Sequence, residues 1–330
     1  MQQSIVSEGF NQHMISVPRS RARTAILPVA GRGMRMLPAS RTIAKELMPV
    51  GRLPLVAHAI VEARAAGIER FVIITSRDKP SFDHALRPDP AFSALLRAEG
   101  KPDLADQLNS FVVSDQNLEW IIQDQQKGFG HAIALAADAV GDAPFVVLAP
   151  DDFLVLNHAL PHHSTLAQMV ALQCEQGGCM VMVEQVPFAK RSEYGIIEPG
   201  PADADQTLLP VHSIVEKPPP GLAPSDLGVI ARYVLEPSIF PILADLAPGA
   251  GGEIQLTDAL QHFARSGLLY AVKNSGLRYD CGTMAGWIRA NMAVAVRHDP
   301  ALIDEFQGEL ERLAARQLAG LVEKQKVKTE

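Results

Sequence analysis

Short apolar runs alternate with amphipathic helical patterns along most of this 330-residue chain. The runs rich in Val, Ile and Leu have the length of buried strands and lie at 70–75, 118–123, 145–150 and 180–186. Apolar residues that return every three or four positions predict helices at 54–67, 131–140, 163–176, 256–266, 283–297 and about 301–322. Strands that alternate with helices favour a doubly wound α/β domain with a largely parallel sheet. Such sheets bind their ligands at the carboxyl ends of the strands.

A glycine turn after the first predicted strand is the clearest sign of a ligand site. The apolar run 25–30 stops at Gly31 and Gly33, and glycines let a backbone approach an anion closely. Arg35 and Lys45 follow within a short distance and supply positive charge for phosphate oxygens. Together these residues suggest a triphosphate site. An ordinary strand-to-helix turn with solvated cations is the alternative interpretation.

The turn fits neither of the two common glycine-rich fingerprints. A P-loop requires Lys-Ser/Thr directly after its last glycine, and this chain has Met34 and Arg35 there. A dinucleotide fingerprint requires a third glycine, and Met36 occupies that position. A dehydrogenase is therefore the weakest interpretation of the segment.

Two aspartates at predicted strand ends are candidate ligands of Mg²⁺. Asp151 follows the apolar run 145–150, and Asp280 lies in Tyr-Asp-Cys-Gly at the end of another strand. Because Mg²⁺ selects oxygen donors, two aspartates from distant segments can share one ion. The alternative is that the pair Asp151-Asp152 only caps the next turn.

Two further segments carry polar groups suited to a nucleotide and a sugar. Gln123 ends a predicted strand, and its amide can pair with a nucleobase edge as donor and acceptor together. Gly128 opens the following helix and permits a base to approach closely. Glu216 can accept from sugar hydroxyls while Lys217 holds a sugar phosphate, although a surface ion pair explains the same residues. For His131, packing at a helix start is favoured over catalysis.

Composition narrows the class of partner. The net charge of −7 gives no overall basic field that would hold a nucleic acid. The three cysteines form no CxxC pair, which excludes a disulfide framework and suits a reducing cytoplasm. No apolar stretch approaches the roughly 20 residues that cross a bilayer, so no membrane partner is expected. No nucleophile with its base emerges, and nucleotidyl transfer needs none.

A series of ordered segments resembles the bacterial UTP–glucose-1-phosphate uridylyltransferases, a branch of the sugar nucleotidyltransferases. The likeness covers residues 23 to about 298 and rests on VAGRGMRMLPAS, AKELMPV, AAGIERFVIIT, KGFGHAIALA, YGIIEP, VEKPPP, APSDLGVIARYVL, PGAGGEIQLTDAL and YDCGTMAGWIRAN. With the strand pattern, it implies a Rossmann-like three-layer α/β/α fold with a mixed, mostly parallel sheet and a small antiparallel annex at about 190–236. The expected division is a disordered tail (1–22), a catalytic domain (23–300), and a C-terminal helix and tail (301–330).

The resemblance implies a Mg²⁺-dependent reaction that converts UTP and α-D-glucose 1-phosphate into UDP-glucose and pyrophosphate. It also implies a homo-oligomer to which the C-terminal helix contributes. Carried onto matching positions, it implies catalytic roles for Arg35, Lys45 and Lys217, nucleotide binding by Ala30, Gly31, Gly33, Gln123 and Gly128, sugar binding by Gly195 and Glu216, and metal binding by Asp151 and Asp280.

Departures from the family pattern leave two alternatives open. Met34 stands where a threonine is usual, and a weakly active regulatory paralogue in the family also carries a methionine there. Arg41 replaces a lysine, Ala44 and Leu47 replace the proline and methionine beside Lys45, and Asp226 replaces an asparagine and adds an anion near the expected phosphate. The alternatives are therefore a regulatory paralogue that binds a true uridylyltransferase, or the same chemistry with another sugar 1-phosphate or with dTTP.

Overall fold

The apolar runs form the centre of one mixed sheet in the computed structural model, which describes residues 20–77, 79, 83–155, 164–201, 207–219 and 221–326. The described strands are β1 Thr24–Pro28, β2 Pro49–Val50, β3 Leu53–Pro54, β4 Arg70–Thr75, β5 Leu118–Ile122, β6 Phe145–Leu148, β7 Asp152–Leu154, β8 Cys179–Gln185, β9 Gly195–Pro199, β10 Leu208–Glu216, β11 Leu227–Leu235, β12 Leu269–Lys273 and β13 Arg278–Asp280. The described helices are α1 Leu55–Ala65, α2 Asp83–Leu86, α3 Pro90–Ala98, α4 Pro102–Asn109, α5 Phe129–Ala134, α6 Ala137–Val140, α7 Thr165–Gln176, α8 Ile239–Asp245, α9 Leu256–Arg265, α10 Met284–His298 and α11 Leu302–Lys326. The predicted helix at 131–140 is divided into α5 and α6.

The main sheet combines parallel and antiparallel neighbours in the order β5-β4-β1-β6-β11-β8-β12-β10-β9. β5, β4, β1 and β6 pair in parallel, as the alternating pattern predicts. β11 is antiparallel to β6 on one side and to β8 on the other. β12 is parallel to β8. β10 is antiparallel to β12, and β9, the edge strand, is antiparallel to β10. The sheet is mixed as expected, with a larger antiparallel share than the pattern predicts.

The segment 190–236 does not form a separate annex. Its three strands, β9, β10 and β11, hydrogen-bond into the main sheet, and β11 is central. Most of β11 is buried, because helices cover both faces of the sheet at that point. Small antiparallel sheets are present as predicted, but they are β2–β3 and β7–β13. Positions 202–206 and 220 of the segment lie outside the described residues.

Two apolar clusters cover opposite faces of the sheet and produce three layers. One cluster joins the sheet to α1 and α7, and the other joins it to α5, α8 and α9. Along β1, Ala25 and Leu27 belong to the first cluster and Ile26 to the second, because successive side chains of a strand point to opposite faces. The predicted Rossmann-like three-layer fold is therefore confirmed.

The ends of the chain are described in part. Ala22 is buried, and Arg21 donates to the carbonyl of Ala66, so packing already includes the last residues of the predicted tail. Positions 1–19 of that tail and positions 327–330 lie outside the described residues. The predicted C-terminal helix is α11, and no helix in the described ranges is both long and apolar enough to span a bilayer. The division into tail, domain and C-terminal helix stays a prediction.

Candidate active site

A cleft opens at the carboxyl ends of the parallel strands. β1, β4, β5 and β6 run in the same direction, so the loops that follow them meet at one edge of the sheet. The cleft has a volume of about 350 Å³. Its walls include many of the predicted site residues, namely Ala30, Gly31, Lys45, Gln123, Gly128 and Asp151.

The glycine turn has a conformation that only glycine adopts easily. Gly33 has a φ of 65°, in the left-handed region, and starts a 3-10 turn over Met34–Met36. Ser40 Oγ donates to the Gly33 carbonyl at 2.8 Å. A Cβ on Gly33 would lie 3.1 Å from the Ser40 Cβ, so space and backbone angle both favour glycine. Met36 is buried under the turn, whereas 67% of Met34 is exposed.

Two side chains that the sequence analysis did not select hold this loop. Lys79 donates to the carbonyls of Val29 and Gly31, the latter at 3.1 Å. Gln126 Nε2 donates to the carbonyl between them, that of Ala30, at 3.0 Å. Three successive carbonyls are therefore fixed by side chains. The available sequence signal was a lysine shortly after β4, because β4 is the parallel neighbour of β1 and ends at the same edge.

Charges alternate along a chain of four buried or half-buried side chains. Lys45 Nζ lies 2.5 Å from Asp151 Oδ2 and 3.9 Å from Glu46 Oε1, and Glu46 Oε2 lies 2.5 Å from Lys79 Nζ. Burial lowers the pKa of Lys45, but the charges of Asp151 and Glu46 outweigh it and hold the pKa above its ordinary value. Burial raises the pKa of Asp151, but the charge and hydrogen bond of Lys45 outweigh it and hold the pKa low. Lys45 and Asp151 are therefore both charged near neutral pH.

The Asp151-Asp152 pair is divided between two tasks. The Asp152 carboxylate accepts from the Ala231 N–H at 2.8 Å and pairs with Arg278, so it serves the packing of the turn. Asp151 instead faces Lys45 in the cleft. Asp152 therefore has a structural role, through bonds to distant segments and not through a cap of the next turn. Asp151 lies in the cleft, and its binding of Mg²⁺ stays a prediction.

Asp280 and Asp151 face one small space. β13 pairs with β7 so that Asp280 lies opposite Asp152, next to Asp151. A Cβ placed on Gly282 would lie 2.9 Å from Asp280 Oδ1 and 3.0 Å from Asp151 Oδ2. Arg35 Nη1 pairs with Asp280 Oδ2 at 3.0 Å. The absence of a side chain at Gly282 leaves this space open between two carboxylates and a guanidinium.

The donors around that space suit Mg²⁺ bound largely through its substrate. Mg²⁺ is commonly held by one or two carboxylates together with phosphate oxygens and water. In the described ranges no three His, Cys, Asp or Glu side chains are close enough to hold a metal ion. Asp151 and Asp280 can therefore supply two oxygen donors, and the remaining ligands would come from a phosphate group and solvent.

Gln123 is buried and its amide orientation is set by two neighbours. Its Nε2 donates to the Gly128 carbonyl at 3.2 Å and to His131 Nδ1 at 2.9 Å. His131 accepts this bond only as the neutral ring. Burial, together with the charge of Lys127, lowers the pKa of His131 and favours that form. His131 thus fixes the orientation of the Gln123 amide. The sequence predicted only a packing role for His131.

The start of α5 packs closely against residues 253–255. Gly128 has a φ of 98°, and a Cβ there would lie 2.8 Å from the Cβ of Glu253. The Ile254 N–H donates to the Lys127 carbonyl at 2.7 Å, and the Ile254 carbonyl accepts from the Gly130 N–H at 2.9 Å. Glu253 is thereby placed in the cleft, although the sequence analysis did not select it. In the sequence, the segment GAGGEIQLTDAL that contains Glu253 shows a family resemblance but no pattern that predicts a role for this residue.

A second cleft with the predicted sugar residues adjoins the first. Glu216 and Lys217 line it, and Glu253 lines both clefts. Gly195 pairs with Glu216 across β9 and β10, and a Cβ on Gly195 would lie 3.2 Å from Glu216 Oε2. The same oxygen accepts from Thr257 Oγ1 at 3.1 Å. Lys217 has a φ of 42°, a conformation that few non-glycine residues adopt.

The departures from the family pattern occupy different places. Met34 and Arg41 line a smaller cleft beside the glycine turn. Asp226 lies at the start of β11, where its carboxylate accepts from Gln185 Nε2 at 3.3 Å and its carbonyl from the Val186 N–H at 2.8 Å. The effects predicted for Met34 and Asp226 stay predictions.

Comparisons with known proteins agree with this geometry. The family model described as "Nucleotidyl transferase" matches residues 24–297. The chain is 34% identical over 293 residues to UTP–glucose-1-phosphate uridylyltransferase 2 of Staphylococcus saprophyticus. The matched region covers 89% of this chain and 98% of that relative. A UDP-glucose pyrophosphorylase solved with UDP-glucose superposes with a TM-score of 0.72 at 33% identity, over 84% of this chain and 99% of that one. The UTP-bound UGPase from Acinetobacter baumannii superposes with a TM-score of 0.75 at 31% identity, over 88% and 99% of the two chains.

Proposed function

The chain belongs to the nucleotidyl transferase family, among the UTP–glucose-1-phosphate uridylyltransferases, and on that premise we propose that it joins UTP to α-D-glucose 1-phosphate and releases pyrophosphate. The observation that carries the proposal is the space between Asp151 and Asp280, which Lys45 and Arg35 border. Solved relatives in complex with UTP and with UDP-glucose support this choice of ligands.

The first cleft would hold UTP. The uracil edge would meet the Gln123 amide, whose orientation Gly128 and His131 set, in the cleft that Gln123 and Gly128 both line. The triphosphate would lie along Gly31 and Gly33, where backbone N–H groups and nearby cations suit phosphate oxygens. The second cleft would hold the glucose.

The reaction would be an in-line displacement at the α-phosphorus of UTP. An oxygen of the sugar phosphate attacks, and the bond to pyrophosphate breaks on the opposite side. Lys45 neutralises the charge that develops on the α-phosphate, and Arg35 holds the leaving pyrophosphate. Glu216 accepts from glucose hydroxyls beside Gly195, and Lys217 holds the sugar phosphate. Mg²⁺, held by Asp151 and Asp280, would supply charge neutralisation to the phosphate oxygens.

Substrate binding would exchange ion-pair partners. In this structure Lys45 pairs with Asp151 and Arg35 pairs with Asp280. When UTP enters with Mg²⁺, the carboxylates would turn to the metal and the cations to the phosphates. Every charge keeps a partner of opposite sign, so the cleft can be preorganised without leaving an isolated buried charge.

The direct test is the formation of UDP-glucose and pyrophosphate from UTP, glucose 1-phosphate and Mg²⁺, compared with the Asp151→Asn variant. We expect clear turnover by the wild type and a loss of about 100-fold or more in the variant, because an asparagine at this position would bind less well the Mg²⁺ that neutralises the phosphate charge. Asp106→Asn is the matched control, since Asp106 pairs with Arg97 in an exposed surface pair. Equal rates for Asp151→Asn and the control would refute the assigned site.

A regulatory paralogue is the second candidate function, and Met34 is the observation that favours it. Its side chain is largely exposed beside the glycine turn. In the same assay, a wild type that binds UTP but turns over poorly, and a Met34→Thr variant that is much faster, would support the paralogue. A panel of sugar 1-phosphates, with UTP and dTTP, would likewise show whether Asp226 changes the substrate.

We further propose a homo-oligomer in a reducing cytoplasm. Cys174, Cys179 and Cys281 form no disulfide with one another, and burial raises the pKa of the Cys281 thiol to about 12, so it is unreactive. The exposed apolar side chains Ile303, Leu310 and Leu313 on α11 suit a contact between copies of the chain.

A further inference from the structure

A buried ion pair links the central strand to the first helix. Arg232 lies on β11 and Glu62 on α1, and both side chains are almost wholly buried. Arg232 Nε and Nη2 donate to the two oxygens of Glu62, each at 2.8 Å, in the bidentate geometry that is strongest for this pair of groups. The negative charges of Glu62 and Asp152 outweigh burial and hold the pKa of Arg232 high, so the pair is ionised.

The remaining donors of Arg232 hold the backbone around Asp151. Nη2 donates to the Asp152 carbonyl at 2.7 Å, and Nη1 donates to the carbonyls of Ala149 at 3.2 Å and Ala231 at 3.0 Å. Every N–H of the guanidinium therefore has an acceptor. The residue opposite Arg232 in the sheet is Leu148, the last residue of β6 before this turn.

We propose that Arg232, oriented by Glu62, is the positioning residue that sets the place of Asp151 relative to Asp280. It holds carbonyls on both sides of Asp151 and touches neither substrate nor metal itself. The Cys281 N–H donates to the Asp151 carbonyl at 2.8 Å, which connects the same turn to the strand end that carries Asp280. The inference rests on the proposed function, because it assigns a purpose to the distance between two proposed metal ligands.

A purely structural role would not require this arrangement. Apolar residues of similar volume often replace a buried ion pair without loss of stability. They cannot, however, hold two carbonyls at defined positions. A readout that depends on the two aspartates therefore separates positioning from packing.

The test compares the double variant Glu62→Met/Arg232→Met with Gln173→Met. The double variant removes both charges together, so no lone buried charge remains. Gln173 is also buried, and it donates to Glu236 at 2.7 Å. Glu236 follows the end of β11 that pairs with Phe145, the first residue of β6. The control therefore removes a buried polar bond near the start of β6, whereas Asp151 follows the end of that strand.

The measurement is the affinity for UTP with and without Mg²⁺, taken by calorimetry with no sugar present. We expect the Mg²⁺-dependent gain in UTP affinity to fall by about 10- to 100-fold in the double variant, the range typical for partners that orient metal ligands. Affinity without Mg²⁺ should stay near that of the wild type, and Gln173→Met should keep the full gain. Wild-type Mg²⁺ dependence in the double variant would overturn the proposal.

Two further results keep the inference falsifiable. If the double variant does not fold, Arg232→Lys retains the charge without the planar fork, and it should reduce the Mg²⁺-dependent gain in a folded protein; an unchanged gain would overturn the proposal. A wild type that binds UTP with Mg²⁺ dependence but makes no UDP-glucose would refute the proposed reaction, while the UTP affinities of the variants would still decide the role of Arg232. A wild type whose UTP affinity ignores Mg²⁺ would overturn both.

Discussion

At the scale of single residues, the site is defined as much by missing side chains as by charged ones. Gly33, Gly128 and Gly282 each stand where a Cβ would meet another group closely. At Gly282 those groups are the two carboxylates proposed for Mg²⁺, together with Arg35. The charged residues are those proposed for the chemistry, and Gly282 leaves open the space between them.

We therefore expect the Gly282→Ala variant to bind Mg²⁺ less tightly. The added Cβ would lie 2.6 Å from Arg35 Nη2, 2.9 Å from Asp280 Oδ1 and 3.0 Å from Asp151 Oδ2, so it would displace Arg35 and crowd both carboxylates. We expect the Mg²⁺ concentration for half-maximal activity to rise about tenfold or more, with a loss of about 1–3 kcal/mol in the free energy of unfolding. Activity against Mg²⁺ concentration is the measurement. Gly276→Ala is the control, because a Cβ there meets nothing closer than 3.7 Å; similar Mg²⁺ curves for the two variants would contradict the prediction.

At the scale of elements, the site is a set of loops held together by buried polar side chains. Lys79, after β4, holds the carbonyls of the loop after β1 and pairs with Glu46. Arg232, on β11, holds the turn after β6. Loops at the end of a sheet are ordinarily more mobile than its strands. These bonds tie the loops that carry the proposed catalytic groups to the strands.

Lys79→Met should cost both stability and nucleotide binding. It removes the close partner of buried Glu46, and breaking such a pair typically costs about 3–5 kcal/mol in the free energy of unfolding. The loop after β1 also loses the two hydrogen bonds that Lys79 donates to it, so KM for UTP should rise. Urea denaturation and steady-state kinetics are the measurements.

The double variant Lys79→Met/Glu46→Met separates the two effects of that substitution. It should regain most of the stability, because no lone buried charge remains. It should not regain the UTP affinity, because the loop carbonyls still lack their donor. A double variant with wild-type KM for UTP would show that Lys79 only neutralises Glu46.

At the scale of the whole molecule, one mixed sheet carries both clefts proposed for the substrates. The parallel half, β5-β4-β1-β6, carries the cleft proposed for UTP, and the antiparallel strands β9 and β10 carry residues proposed for the sugar. Because β11 joins the two halves by hydrogen bonds, the clefts keep a fixed relation. A rigid relation suits an in-line reaction between two bound substrates.

The proposed oligomer leads to a prediction at this scale. The double variant Leu310→Glu/Leu313→Glu places charges among exposed apolar side chains of α11, so it should lower the molar mass measured by light scattering. Leu104→Glu, on the exposed side of α4, is the control. A wild type of monomeric mass, or a mass unchanged by the double substitution, would refute the assignment of α11.

Much of the site could be predicted because its residues lie where strand patterns end. Asp151, Gln123 and the glycine turn each follow an apolar run, and the structure brings them to one cleft. Lys79, Glu253 and Arg232 were not selected. Lys79 and Arg232 bond to partners far along the chain, as in the pair of Arg232 and Glu62, which are 170 positions apart. Glu253 is placed by the bonds of its neighbour Ile254 to the distant segment 127–130. Such a contact leaves no local periodicity or motif in the sequence.

The sequence by itself determined the local elements and the chemical inventory. Continuous apolar runs specify strands such as β4, predicted at its observed bounds, because a strand buried on both faces has little room for polar residues. Only the tertiary structure decided that 190–236 joins the main sheet, that Asp151 rather than Asp152 faces the cleft, and that Arg232 supports it. Strand neighbours and buried ion pairs depend on which distant segments pack together, and that is a property of the whole chain.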